Sequence, residues 1–163
     1  MSTNPFAEYA IHQRWMEQAI ALAQQAGNAG DVPVGAVIVD RTGSVVATGE
    51  NRRERDGDPT AHAEILALRA AGRSRHSWHL EDCTLYVTLE PCPMCTGAIL
   101  LARLGLLVYG ADDPKAGTIR TVFNLPDSPC SNHRLSVLPG ILEIPCREQL
   151  QQWFAQRRSR SPN

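Results

Sequence analysis

The chain has 163 residues, of which 43% are hydrophobic and 20% charged, and its 16 basic and 17 acidic side chains leave a formal net charge of −1. That length suffices for one domain that buries about 70% of the unfolded chain's surface, and no apolar run approaches the roughly 18 residues of a membrane span. The near-neutral balance gives no global sign of nucleic-acid binding, and five cysteines, two of them in a C-x-x-C, point away from a disulfide framework toward metal-bound or packed thiols in a reducing compartment.

The N-terminus, MSTNPFAEYAIHQRW, lacks the basic start and apolar run of a signal peptide, so a cytoplasmic protein is expected. Residues of about 11–28 read as a helix, because Ile11, Trp15, Met16, Ala19, Leu22, Ala23 and Ala26 recur at three- and four-residue steps. Gly27 to Gly30 ends it. Val32–Asp40 and Ser44–Gly49 read as two strands joined by a turn at Arg41–Gly43, forming a hairpin. Asn51–Pro59 is polar and reads as a loop. Thr60 is placed to cap the next helix, which puts Ile65, Leu66, Leu68 and Ala71 on its buried side and stops near Gly72.

Thr84–Leu89 is apolar almost throughout, as expected of a central strand covered on both faces. Pro93 suits the first turn of a helix that runs to about Arg103. Leu104–Tyr109 reads as a short strand, and Asp112–Cys130 as mostly loop with a short helix near Val122–Leu125. Leu135–Leu138 reads as a last strand and Gln149–Arg158 as a C-terminal helix. No repeat, low-complexity tract or linker interrupts the chain, so the expectation is one α/β layered domain over 1–163 with an ordered core of about 11–158.

Two stretches carry chemistry: Thr60–Glu64 (TAHAE) and Thr84–Cys95 (TLYVTLEPCPMC). Together they offer His62, Cys92 and Cys95 as metal ligands and Glu64 as an acid/base outside the ligand set. Three protein ligands with an open fourth position is the catalytic zinc pattern, whereas structural zinc sites close with four. Cys92 and Cys95 share one side of a first helical turn, where the positive end of the helix dipole favours thiolates. His62 and Glu64 do not share a helix face, so both serve one site only if the metal lies off the helix start. Zinc makes water nucleophilic at neutral pH, and Glu64 is placed to move its proton to a substrate ring nitrogen while an exocyclic amine leaves as ammonia. The competing arrangement is a closed structural site with Cys83, Cys130 or Cys146 as fourth ligand. Two arginine clusters, Arg52/Arg53/Arg55 and Arg157/Arg158/Arg160, fit either solvated surface or phosphate contacts.

H-x-E followed by P-C-x-x-C resembles the signature of zinc nucleobase deaminases. PTAHAEI and TLYVTLEPCPMCTGAI resemble the cytidine and deoxycytidylate deaminase superfamily and, more closely, its bacterial tRNA-specific adenosine deaminases. The likeness runs from about Trp15 to Phe154 and includes DVPVGAV, the N-R-R-E loop, G-A-D-D-P-K-A-G and Asn132–Arg134.

The resemblance implies a three-layer α/β/α fold around a mixed five-stranded sheet, a homodimer with one Zn2+ per subunit, and conversion of a tRNA anticodon's wobble adenosine to inosine. It makes His62, Cys92 and Cys95 the zinc ligands and Glu64 the proton shuttle. It has Asn51 hydrogen-bond the flipped base, with Pro33, Val34, Leu89, Glu90 and Pro91 lining the base pocket. It sets Asp113 and Lys115 against neighbouring nucleotides and Phe154 near the RNA. The chain departs from the family's small residues at Thr118–Thr121, where Arg120 fits a phosphate contact, a narrowing of the channel or a place unrelated to RNA. A deaminase of a free base or nucleoside, and a non-catalytic zinc or RNA-binding domain, are the other readings.

Overall fold

The computed structural model describes residues 5–160. In chain order the elements are helix α1 (Pro5–Asn28), strands β1 (Gly35–Asp40) and β2 (Val45–Glu50), helices α2 (Arg53–Asp56) and α3 (Ala63–Arg75), strand β3 (Cys83–Leu89), helix α4 (Pro93–Leu101), strands β4 (Leu106–Ala111) and β5 (Ser136–Leu138), and helix α5 (Glu143–Arg160). The strands form one mixed sheet in the order β2-β1-β3-β4-β5, with β1 antiparallel to both neighbours and β3, β4 and β5 mutually parallel. Strand β3 is therefore central, as its apolar run predicts.

Alternation along the strands divides the core in two. Val37, Val39, Tyr86 and Val108 face Trp15, Met16 and Ala19 of α1 and Cys146 of α5. Ile38, Leu85, Val87, Leu107 and Tyr109 face Ala63, Ala67 and Leu68 of α3 and Ile99 of α4. The result is a three-layer α/β/α arrangement, stable because each sheet face is covered. Gly49 lets α3 approach β2 closely: a Cβ there would lie 2.8 Å from the Ala67 backbone nitrogen and nearer still to the Ala63 carbonyl. The β1–β2 turn is held by the Asp40 carboxylate, which accepts from the Thr42 and Ser44 amides at 2.9 and 3.1 Å.

Several boundaries differ from the sequence-based expectation, each for a physical reason. Residues 32–34 do not join β1; the Val34 carbonyl instead accepts from the Asn51 amide at 2.9 Å, drawing this segment toward the loop after β2. That loop is not wholly irregular, since Arg53–Asp56 makes one helical turn closed by Gly57 in the left-handed region. His62, not Thr60, is the N-cap of α3; Thr60 donates from its amide and hydroxyl to Asp58 instead. Helix α3 runs past Gly72 to Arg75, and its fully buried positions are Ala63, Glu64, Ala67, Leu68 and Ala71, with Ile65 and Leu66 only half-buried. No helix forms at Val122–Leu125, because the Val122 and Phe123 amides both turn back to the Gly117 carbonyl. Helix α5 starts at Glu143, well before Gln149, with Pro145 accommodated in its first turn. Among the described residues no helix is long and apolar enough to cross a membrane.

Candidate active site

Two helix starts face one another beyond the carboxyl end of β3. Strand β3 ends at Leu89, and Glu90 extends its pairing by donating to the Ala111 carbonyl at 2.8 Å. Pro91 then turns the chain into α4, with Cys92 as N-cap in extended backbone, Pro93 at the first helical position and Cys95 in the first turn. His62 is likewise the extended N-cap of α3, and Glu64 follows in its first turn. A capping residue points off the end of its helix, which is how His62 and Glu64 serve one point without sharing a helix face.

His62 Nδ1 lies 3.5 Å from Cys95 Sγ and 3.7 Å from Cys92 Sγ. Tetrahedral zinc with its usual bond lengths sets nitrogen and sulfur ligands about 3.6 Å apart, so this donor set fits the ion. Among the described residues no other three His, Cys, Asp or Glu side chains converge in this way. Cys83 and Cys146 are buried elsewhere and Cys130 is exposed, so none supplies a fourth ligand here.

The electrostatics agree with the geometry. The Cys92 thiol is brought down to about 4, first by a hydrogen bond from Cys95 and, against burial, by His62. Cys95 is pushed up because Cys92 keeps the negative charge of the pair. A divalent cation held by His62, Cys92 and Cys95 would take the place of the proton between the two thiols, which is the chemistry of a thiolate metal site. His62 is raised, mainly by its hydrogen bond with Cys92. Glu64 is 4% exposed, and burial pushes its carboxyl up to about 7, with the nearby Cys92 charge adding to the effect.

A cavity of about 170 Å³ opens onto this cluster, smaller than the roughly 300–1,000 Å³ of drug-sized sites and suited to a single nucleobase. Of the residues singled out from the sequence, Val34, Asn51, His62, Glu64, Leu89, Glu90, Cys92 and Asp113 line it, and Cys95 lies buried behind. Arg53, of the first arginine cluster, lines it as well, as do Val32, Ala63 and Ala116, whose only signal in the sequence was that each adjoins a marked residue. Asn51 is 7% exposed; its Nδ2 donates to the Val32 carbonyl at 3.0 Å and its Oδ1 accepts from the Arg53 amide at 3.2 Å. One N–H and one lone pair remain, enough to pair with a purine edge.

Other expected contacts sit apart from the cavity. Pro33 lines a neighbouring crevice with Gln149 and Trp153. Pro91 is buried, and its carbonyl accepts from the Thr118 amide and from the hydroxyls of Thr96 and Thr118. Lys115 is exposed near the Asp113 carboxylate, to which its amide donates at 2.9 Å. Phe154 is on α5, half exposed and edge-on to Trp153.

The arginines before the first motif are largely engaged within the protein. Arg55 reaches the fully buried Asp31 at 2.6 Å, Glu50 at 3.1 Å and the Asn51 carbonyl at 2.9 Å, while Arg52 pairs with Asp56. They brace the Asn51 loop. Arg120 pairs with Asp112 at 3.1 Å and lies over the Tyr109 ring, so the departure from the family pattern is anchored at the surface, with Ile119 buried beneath it.

A larger hollow lies elsewhere: an open groove of about 1000 Å³ between α3 and α4, walled by Leu68, Trp78, Leu101 and other residues and containing none of the cluster. Leu101 is 78% exposed there and Trp78 60%. An open apolar groove suits contact with another protein surface better than chemistry.

Residues 10–111 match the cytidine and deoxycytidylate deaminase zinc-binding region. The chain is 44% identical to a tRNA-specific adenosine deaminase of Haemophilus influenzae, over 90% of this chain and 84% of that protein. It is 42% identical to a tRNA-specific adenosine deaminase of Bacillus subtilis, over 90% of each. A solved structure from work on A-to-I editing at the wobble position of transfer RNA superposes with a TM-score of 0.81 at 40% identity, covering 83% of this chain and 98% of the other.

Proposed function

This chain belongs to the cytidine and deoxycytidylate deaminase family, among its tRNA-specific adenosine deaminases, and on that premise we propose that it converts the wobble adenosine of a tRNA anticodon to inosine. The observation that carries the proposal is the meeting of three metal-ligating atoms, a buried carboxylate and a base-sized cavity at two facing helix starts. His62, Cys92 and Cys95 hold the zinc ion, which when bound supplies the Lewis acidity that makes water nucleophilic at neutral pH.

The chain's own residues do the rest. Glu64 takes one proton from the attacking water and delivers it to the adenine ring nitrogen next to the amino-bearing carbon. The water oxygen bonds to that carbon, and its second proton leaves with the amine as ammonia. Atoms balance as adenosine plus water giving inosine plus ammonia. Asn51 turns its remaining donor and acceptor to the base edge, and Val34 and Leu89 press on the ring faces. Asp113 stands at the pocket mouth, where a neighbouring nucleotide passes. Lys115 and Phe154, outside the cavity, serve the flanking RNA, with Pro33 and Pro91 shaping the walls behind it.

A second copy of the chain is the occupant we assign to the open α3–α4 groove, making a homodimer; the exposed Leu101 and Trp78 are the apolar contacts it covers. We infer that the protein works in the cytoplasm, where a tRNA substrate would be met.

The test is to incubate zinc-loaded protein with an anticodon stem-loop bearing a wobble adenosine and, separately, with guanine, cytosine, cytidine and adenosine. Inosine in the stem-loop with no turnover of the small molecules is expected. Turnover of a free base alone would overturn the RNA assignment while leaving the deaminase chemistry in place.

A further inference from the structure

Glu90 is 1% exposed, yet its carboxylate contributes no free acceptor to the pocket it borders. One oxygen, Oε1, accepts from the backbone amides of Ile119, Arg120 and Thr121 at 3.1, 2.8 and 3.0 Å. The other, Oε2, accepts from the Asp113 amide at 3.0 Å and from the Thr121 hydroxyl. Every one of these donors belongs to the segment after β4. Gly117 lies against the same carboxylate so closely that a Cβ there would collide with it. A carboxylate encircled by amides of one loop is a template for that loop's path, because each donor lost would be a buried polar group without a partner.

The segment so fixed forms one wall of the pocket through Asp113 and Ala116, and Glu90 is two residues from Cys92. One side chain thus couples the start of α4, where the metal ligands sit, to the wall facing the substrate.

We propose that Glu90 is a positioning residue that holds residues 113–121 as the substrate-facing wall and makes no substrate contact itself. This rests on the reading that the pocket takes a nucleotide. The variant is Glu90→Gln, which keeps the side chain's size but, whichever oxygen becomes the amide nitrogen, removes at least two acceptances. Thr121→Val, which removes only the hydroxyl, is the milder companion.

Amide hydrogen exchange is read first, on the zinc-loaded protein without substrate. In Glu90→Gln, exchange across 113–121 should rise at least ~10-fold, the equivalent of about 1.4 kcal/mol, with α1 and β3 unchanged and zinc per chain unaltered. Thr121→Val should loosen the same segment by a smaller factor. With the stem-loop, KM should rise several-fold more than kcat falls, since the wall binds and does not react. Unchanged exchange in both variants, or zinc loss from Glu90→Gln, would overturn the proposal, as would a fall in kcat at constant KM. If Glu90→Gln does not fold, Thr121→Val decides alone. If the wild-type protein ignores the stem-loop, the exchange result still judges Glu90, and the kinetic split is read on whichever base it does turn over; failure of the function and failure of this inference therefore remain distinguishable.

Discussion

Replacing Gly49 by alanine should damage the site through the scaffold, from a position that does not itself line the cavity. Gly49 lies in β2 under the first turn of α3, where an added Cβ meets the Ala63 carbonyl well inside contact and the Ala67 nitrogen at 2.8 Å, against ordinary contact from 3.4 Å. Both neighbours are backbone and cannot rotate aside, so the turn must retreat by about 1 Å, an overpacking of the kind that costs about 1–3 kcal/mol. For a chain of this length that lowers Tm by about 3–10 °C. The displaced turn carries Glu64 and is led by His62, while Cys92 and Cys95 stay with α4. A misplacement of that size is worth about 10²-fold in turnover. The assay is thermal unfolding, zinc per chain and stem-loop kcat, with Gly97→Ala as control. Gly97 is inside α4 with nothing within 4 Å of an added Cβ, so alanine there should stabilise by about 0.5–1 kcal/mol. A Gly49→Ala protein with wild-type Tm, zinc and turnover would refute the reasoning.

Three further outcomes are expected. Glu64→Gln should keep its zinc and lose about 10²–10⁴ in kcat, the usual worth of general acid–base catalysis; a fast variant would remove Glu64 from the proton path. Cys92→Ala should lose zinc or bind it far more weakly by metal analysis, and full occupancy with normal turnover would discard the ligand set. The Asp82 carboxyl is held below its ordinary 3.8, first by the hydrogen bond from Arg75. A depressed carboxyl stabilises above its unfolded value and loses that contribution as pH falls through its folded value. Arg75→Ala should therefore be less stable than wild type at neutral pH, with the gap closing as pH drops below about 4; a gap independent of pH would contradict the pairing.

The metal cluster was legible in the sequence because its signals are local: Cys92 and Cys95 share a turn, Pro93 fixes the helix start, and H-A-E marks another. The central place of β3 was legible from its unbroken apolar run. What escaped is long-range. Arg55 reads as a surface charge until the fold brings Asp31 beside it from 24 positions away. Arg120 has a phosphate contact among its readings until Asp112 and Tyr109 occupy it. Val122–Leu125 reads as a short helix, yet the amides of Val122, Phe123 and Leu125 are spent on Gly117 and Thr118. Glu90 reads as pocket lining, and no sequence pattern reveals that five donors from one loop converge on it. Boundaries shifted at residues 32–34, which leave β1 for the loop after β2, and ahead of Gln149, where α5 already begins at Glu143.

The most direct measurement is a single turnover of the wobble-adenosine stem-loop in ¹⁸O-labelled water, following label and ammonia together. Hydrolytic deamination at this site predicts one solvent oxygen in each inosine, one ammonia released per inosine, and conversion confined to the wobble position of RNA treated with zinc-loaded protein. An intact adenosine after treatment with fully zinc-loaded protein, or inosine that carries no solvent oxygen, would contradict it.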